Sequence, residues 1–197
     1  MSWDQWPEQK PEEYAPRMID LQFDLTGSTI PADSALLLSH AVLEILPWLA
    51  EDTQSGIQLL KGAPTNSGDA VVNINRRAKL FLRVPQTRIN DAAGLVGHTL
   101  DLADHRLQVG HFKSRAFTPF SNIYAHFVDT GSTSEEQFVQ DVMRELDGQF
   151  QLRCGFICGK QQTLQGPDGV VHGYSLMLHD LPPHKSLRLQ DEGMGHN

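Results

Sequence analysis

Apolar and polar positions alternate from residue 18 to 25. Ile19, Leu21, Phe23 and Leu25 lie on one face and Asp20, Gln22 and Asp24 on the other, a half-buried strand that Thr26-Gly27-Ser28 ends. The period then lengthens. Between residues 33 and 48, Leu38, Val42, Ile45 and Leu46 recur at helical spacing, continued by Leu49; Asp33 is placed to cap the start and Pro47 to end or kink the helix. Residues 56–60 and 79–84 read as strands around a loop bearing Gly62, Pro64, Asn66 and Gly68. Residues 87–102 read as a second helix with Ile89, Ala92, Ala93, Val96 and Leu100 inward, weakened by about 1 kcal/mol at each of Gly94 and Gly97. Residues 106–112 read as a strand.

That order, βαββαβ, ends at Thr118-Pro119-Phe120-Ser121-Asn122, and a second cycle begins. Residues 123–128 predict a strand, 134–146 a helix with Glu135 and Glu136 at its positive end, 152–158 a strand, 165–169 a turn, and 170–178 a strand. Pro182-Pro183 leads into a short helix through Leu189. The elements repeat although the sequence does not. The expected fold class is α+β, two tandem ferredoxin-like (βαββαβ) domains with the second lacking its last strand. The expected organisation is a flexible, proline-bearing arm over 1–17, one domain over 18–118 and another over 119–197.

Composition narrows the classes. The chain has 197 residues, 40% of them hydrophobic, enough for a sizeable core. No run approaches the 18 consecutive apolar residues of a membrane span, and the first residues lack the basic and apolar regions of a secretory signal. Two cysteines, Cys154 and Cys158, sit in an apolar run and read as reduced core thiols of a cytoplasmic protein. Alone they cannot make a structural zinc site, and neither metal nor cofactor is expected. The net charge of −8 argues against a nucleic-acid ligand until its distribution is considered. Residues 76–115 hold eight cations against three carboxylates, a local +5 that leaves −13 for the rest.

Two readings of that segment stand. His111, Lys113 and Arg115 share one face of a strand and can line a phosphate track, as can Arg76, Arg77 and Lys79; equally, charges on an edge strand block aggregation. Lys160, Lys185 and Arg188 are further basic candidates. Nine histidines supply groups that exchange protons near neutral pH. His40 stands out, in the first helix with Glu44 one turn on; it reads either as an acid–base group that Glu44 orients or as a helix-edge residue beside Leu36 and Leu43.

Several segments, in collinear order from residue 18 onward, carry a family resemblance. They are Met18-Ile19-Asp20-Leu21-Gln22-Phe23, Leu46-Pro47-Trp48-Leu49, Lys61-Gly62-Ala63-Pro64, Gly173-Tyr174-Ser175-Leu176-Met177-Leu178-His179, Ser186-Leu187-Arg188-Leu189-Gln190 and Gly193-Met194-Gly195. Together they resemble the MYXAN branch of the CRISPR repeat-processing endoribonucleases, in the repeat-associated superfamily of tandem ferredoxin-like RNA binders. The resemblance implies binding of CRISPR repeat RNA and metal-independent cleavage of precursor CRISPR RNA by 2′-hydroxyl attack, leaving a 2′,3′-cyclic phosphate. His40 is then the general acid or base, and Gly193 and Gly195 belong to an RNA-binding glycine loop. The product stays bound, with the protein as a subunit of the effector complex. The alternative is a non-catalytic CRISPR RNA-binding subunit of such a complex, partnered by its other proteins. In the family the glycine loop runs on into further glycines and a last strand, whereas here two residues follow Gly195. Without that strand the second sheet presents an open edge to RNA or a partner subunit.

Overall fold

The computed structural model describes residues 13–64, 71–75, 77–166 and 169–195. The first half runs through β1 (Met18–Thr26), β2 (Thr29–Pro31), α1 (Ala35–Ile45), β3 (Gly56–Ile57), β4 (Ala63–Pro64), β5 (Val71–Asn73), β6 (Lys79–Pro85), α2 (Ile89–Ala92), β7 (Thr99–Leu102) and β8 (His105–Arg115). The second half holds β9 (Ile123–Val128), α3 (Glu135–Gly148), β10 (Gly155–Gly166), β11 (Gly169–His179) and α4 (Pro183–Glu192).

The first sheet has the order β3-β6-β1-β8-β7. Without the added β7, this is the split-βαβ arrangement, β1 lying antiparallel between β6 and β8. The alternation in β1 places Leu21 and Phe23, both fully buried, in one core with Leu80, Leu82 and Val84 of β6 and with Leu38 and Val42 of α1. The second sheet, β10-β11-β9, packs Leu176 and Leu178 against Phe138, Val142 and Leu146 of α3. Beyond β9 no strand pairs with this sheet among the described residues, which run βαββα in this half. Ser134 caps α3 by accepting from the Gln137 N–H at 3.2 Å.

Several local expectations change. The span 87–102 is not one helix. It is α2 flanked by 3₁₀ turns over Gln86–Arg88 and Ala93–Leu95, and then β7. Gly97, at φ +85°, turns the chain, and Leu100 and Leu102 are buried while Thr99 and Asp101 face out, a period of two. The first helix has Ser34 rather than Asp33 at its N-cap position, with no side-chain capping bond, and ends at Ile45; Pro47 opens a 3₁₀ turn, Pro47–Ala50. The strand expected over 56–60 is confined to β3, and the following loop contains β4 and β5, which join β2 in a three-stranded sheet. The strand expected over 152–158 is β10, which starts at Gly155 and runs to Gly166; Pro167 and Asp168 of the expected turn lie outside the described residues. Asn66, Gly68 and residues 1–12 lie outside the described residues. Residues 13–17, expected in a loose arm, are held: the N–H groups of Arg17 and Met18 and the Tyr14 hydroxyl all donate to the buried Asp191 carboxylate at the end of α4.

Candidate functional site

α1 and α2 cover one face of the first sheet, and the other face is open except where Arg83 meets Gln190 of α4. On that open face β1 carries Asp20, Gln22 and Asp24, because their odd-numbered neighbours Leu21, Phe23 and Leu25 fill the core. On β6 the same alternation turns out Lys79, Phe81 and Arg83. On β8 it turns out Lys113 and Arg115, paired in register with Gln22 and Asp20, while Phe112 stays against Phe23 with ring centroids 5.1 Å apart. A register shift between Phe23 and Leu25 interrupts this pairing near His111, which lies close enough to Asp24 to act on its carboxyl. Three columns result, an acidic centre between two basic flanks.

Two of the cations are committed within the protein. Lys79 donates to Asp24 Oδ1 at 2.7 Å. That bond, with the lysine's charge, holds the Asp24 carboxyl below its ordinary range; Lys113 and His111 add to the effect. Arg83 forks onto both Asp20 oxygens at 2.9 and 3.1 Å, donates to the Gln190 carbonyl at 2.6 Å and lies over the Phe117 ring at 4.5 Å. It thus joins the halves. Lys113 and Arg115, both exposed, enter no ion pair among the described residues and are the cations on this face available to phosphates. Arg83 was not singled out by the sequence reading; its period-two spacing from Lys79 is the signal that marks it.

The other sequence candidates are dispersed. Arg76 lies outside the described residues, and Arg77 is exposed in the turn before β6, where its N–H donates to Asn75 Oδ1. Lys160 is exposed at the irregularity of β10 between Cys158 and Gln161. Lys185 donates to the Phe150 carbonyl at 2.7 Å, and Arg188 pairs with Glu192 at 2.9 Å beneath the second core. Gly193, at φ +74°, ends α4, and its N–H donates to the Leu189 carbonyl. Gly195, at φ +83°, donates to Glu145 and abuts β9, where a Cβ would sit 2.4 Å from the Asp129 carbonyl oxygen. The Cys154 and Cys158 thiols are unpaired and partly buried against the second core; burial pushes both up, with Asp180 and Glu135 adding to it.

His40 is exposed on α1, on the helix-covered side of the sheet, so the fold separates it from the basic flanks. No hydrogen bond or ion pair joins it to Glu44 among the described residues. Next to it, Ser39 and Leu43 line a hollow of about 560 Å³ whose far wall includes Gln165 at the tip of the β10–β11 hairpin. A second cleft, of about 440 Å³, lies between the halves on the open side and is lined by Asp20, Phe81, Arg83, Phe127 and Gly193.

The family model described as Cas6 Crispr matches residues 19–197. A protein of Myxococcus xanthus (strain DK1622) named CRISPR-associated endonuclease Cas6 is 29% identical over 178 residues, which cover 90% of this chain and 76% of that protein. Among solved structures, a CRISPR associated protein Cas6 superposes with a TM-score of 0.61 at 11% identity, covering 90% of this chain and 94% of the other. A Cas6-related protein from Pyrococcus furiosus gives 0.61 at 12% identity over 91% and 94%. At these identities the structural likeness is one of fold.

Proposed function

The chain belongs to the Cas6 family, and on that premise we propose that it binds the repeat of precursor CRISPR RNA and cuts it without a metal ion. The 2′-hydroxyl attacks the adjacent phosphorus while a base removes its proton. The P–O5′ bond breaks as an acid protonates the leaving 5′-oxygen, leaving a 2′,3′-cyclic phosphate and a 5′-hydroxyl. His40 is the acid–base group in this reading, beside the hollow that separates α1 from the β10–β11 hairpin. The halves divide at residue 118, and the protein keeps its product as a subunit of the effector complex.

The observation that carries the RNA grip is the open face of the first sheet, where exposed Lys113 and Arg115 enter no ion pair among the described residues, across β1 from the bonded Lys79 and Arg83. Such a local field binds phosphates despite a net charge of −8. The separation of His40 from that face, and its lack of a bond to Glu44, favour a second reading, an RNA-binding subunit that does not cut.

Incubation with CRISPR repeat RNA from the same genome in EDTA, followed by mapping of product ends, separates the two. The first reading expects one cut per repeat with a cyclic phosphate, abolished in His40→Ala while binding persists. Full cutting by His40→Ala removes the role from that residue, and binding without cutting by the wild type establishes the second reading.

A further inference from the structure

The open face of the second sheet carries a group of side chains that the reading above does not use. Along β9, Ile123 and Ala125 turn to the core, so Tyr124 and His126 turn out. Register places Tyr124 beside Met177 of β11, and Met177 beside Ile157 of β10, an apolar row across three strands. Tyr124 is 53% and Ile157 55% exposed, which is unusual for side chains of this size. The Tyr124 and His126 rings meet edge to face at 4.8 Å and 85°. The Gln162 amide donates to the His126 carbonyl at 3.0 Å and ties the second half of β10 to this row.

A cation completes the group from the other half of the molecule. Lys61, in the loop between β3 and β4, hydrogen-bonds through Nζ to His126 Nε2. An ammonium has three donors and no acceptor, so Nε2 accepts, and further ammonium protons remain for an anion. The exposed flat ring and the neighbouring cation match the two parts of a nucleotide, a base with a π-face and a phosphate.

We propose that Tyr124, His126 and Lys61 form a nucleotide subsite, in which the base of an unpaired RNA residue stacks on Tyr124 and its phosphate meets Lys61. The inference rests on the RNA reading above and adds a second contact surface, on the other sheet from Lys113 and Arg115. The occupant is unpaired RNA because a base inside a duplex has both faces stacked already. The site exists only when the halves are docked, since its lysine and its rings come from different halves.

The test measures affinity for repeat RNA with a single-stranded flank, and for a fully paired version, over a range of salt concentrations. Tyr124→Ala is expected to weaken binding of the flanked RNA about 5- to 150-fold, the range for loss of one stacked base, with the salt dependence unchanged. Tyr124→Phe keeps the ring and binds within about twofold of wild type. Lys61→Ala lowers the slope of log affinity against log salt by about 0.7, the value for one phosphate of a single strand. Thermal melts of each variant confirm that it is folded. Flanked-RNA binding by Tyr124→Ala within about twofold of wild type overturns the subsite, as does an equal loss with paired RNA. A wild type that binds neither RNA overturns the RNA reading itself, so the two failures are distinct.

Discussion

The Tyr14 hydroxyl donates to Asp191 Oδ2 at 2.7 Å, while Oδ1 of the same carboxylate accepts the N–H groups of Arg17 and Met18 at 2.9 and 2.7 Å. Asp191 is only 2% exposed. One buried side chain of α4 therefore holds the entry to β1, more than 170 positions away. Asp191→Ala strands two backbone donors and is expected to lower stability by about 3 kcal/mol. Tyr14→Phe removes the bond to Asp191 and a longer one to Glu192, at 3.4 Å, and should cost about 1 kcal/mol. Urea midpoints at constant m-value measure both.

The same contact sets an alkaline limit. Burial, the bond to Asp191 and that carboxylate's charge all raise the Tyr14 phenol well above its ordinary 10.0. A group raised on folding keeps its full contribution below the unfolded pKa and loses it as pH rises through the folded one. Wild-type stability should thus fall as pH climbs past about 10, and more steeply than in Tyr14→Phe. Matched urea titrations at pH 8 and above about 10 supply the comparison; parallel curves would contradict it.

The two basic flanks of the first sheet should behave differently toward RNA. Lys113→Glu and Arg115→Glu place carboxylates beside Asp20, Gln22 and Asp24, so the double variant is expected to lose at least tenfold in RNA affinity and to flatten the salt dependence. Lys79→Ala also frees Asp24, and its loss is partly internal. Filter binding at two salt concentrations tells the flanks apart.

Glycine substitutions probe the second half. A Cβ on Gly173 would lie 2.6 Å from the tip of the Phe127 ring and 2.7 Å from the Val128 carbonyl oxygen, so Gly173→Ala should destabilise by about 1–3 kcal/mol. Gly148, at the end of α3, has nothing within 4 Å of the new atom, and Gly148→Ala should raise stability by up to about 1 kcal/mol. Melting temperatures moving in opposite directions is the expected result.

The elements with one clear period were legible in the sequence. The alternation of β1, the boundaries of β9 and the Ser134-capped α3 follow from side chains that each see one core. The 87–102 span misled because Val96 and Leu100 fit a helical period while Leu100 and Leu102 fit a period of two. Gly97 settles the competition by turning the chain between them. The basic strand was visible because its three residues are two apart. The contacts between halves were not. Arg83 with Gln190, Lys61 with His126 and Tyr14 with Asp191 join residues from 65 to 177 positions apart, and no local pattern marks a partner at that range. For the same reason His40 could be placed on a helix but not on a face relative to the basic strand.

The Asp191 clamp also orders events during synthesis. The strand at the centre of the first sheet has its opening N–H groups closed by a carboxylate that leaves the ribosome after β1 to β11 have been made. Until then, the first half can assemble its core while the donors of Arg17 and Met18 are left to water. The joint at the start of β1 can therefore close only after the last strand of the second half has been made.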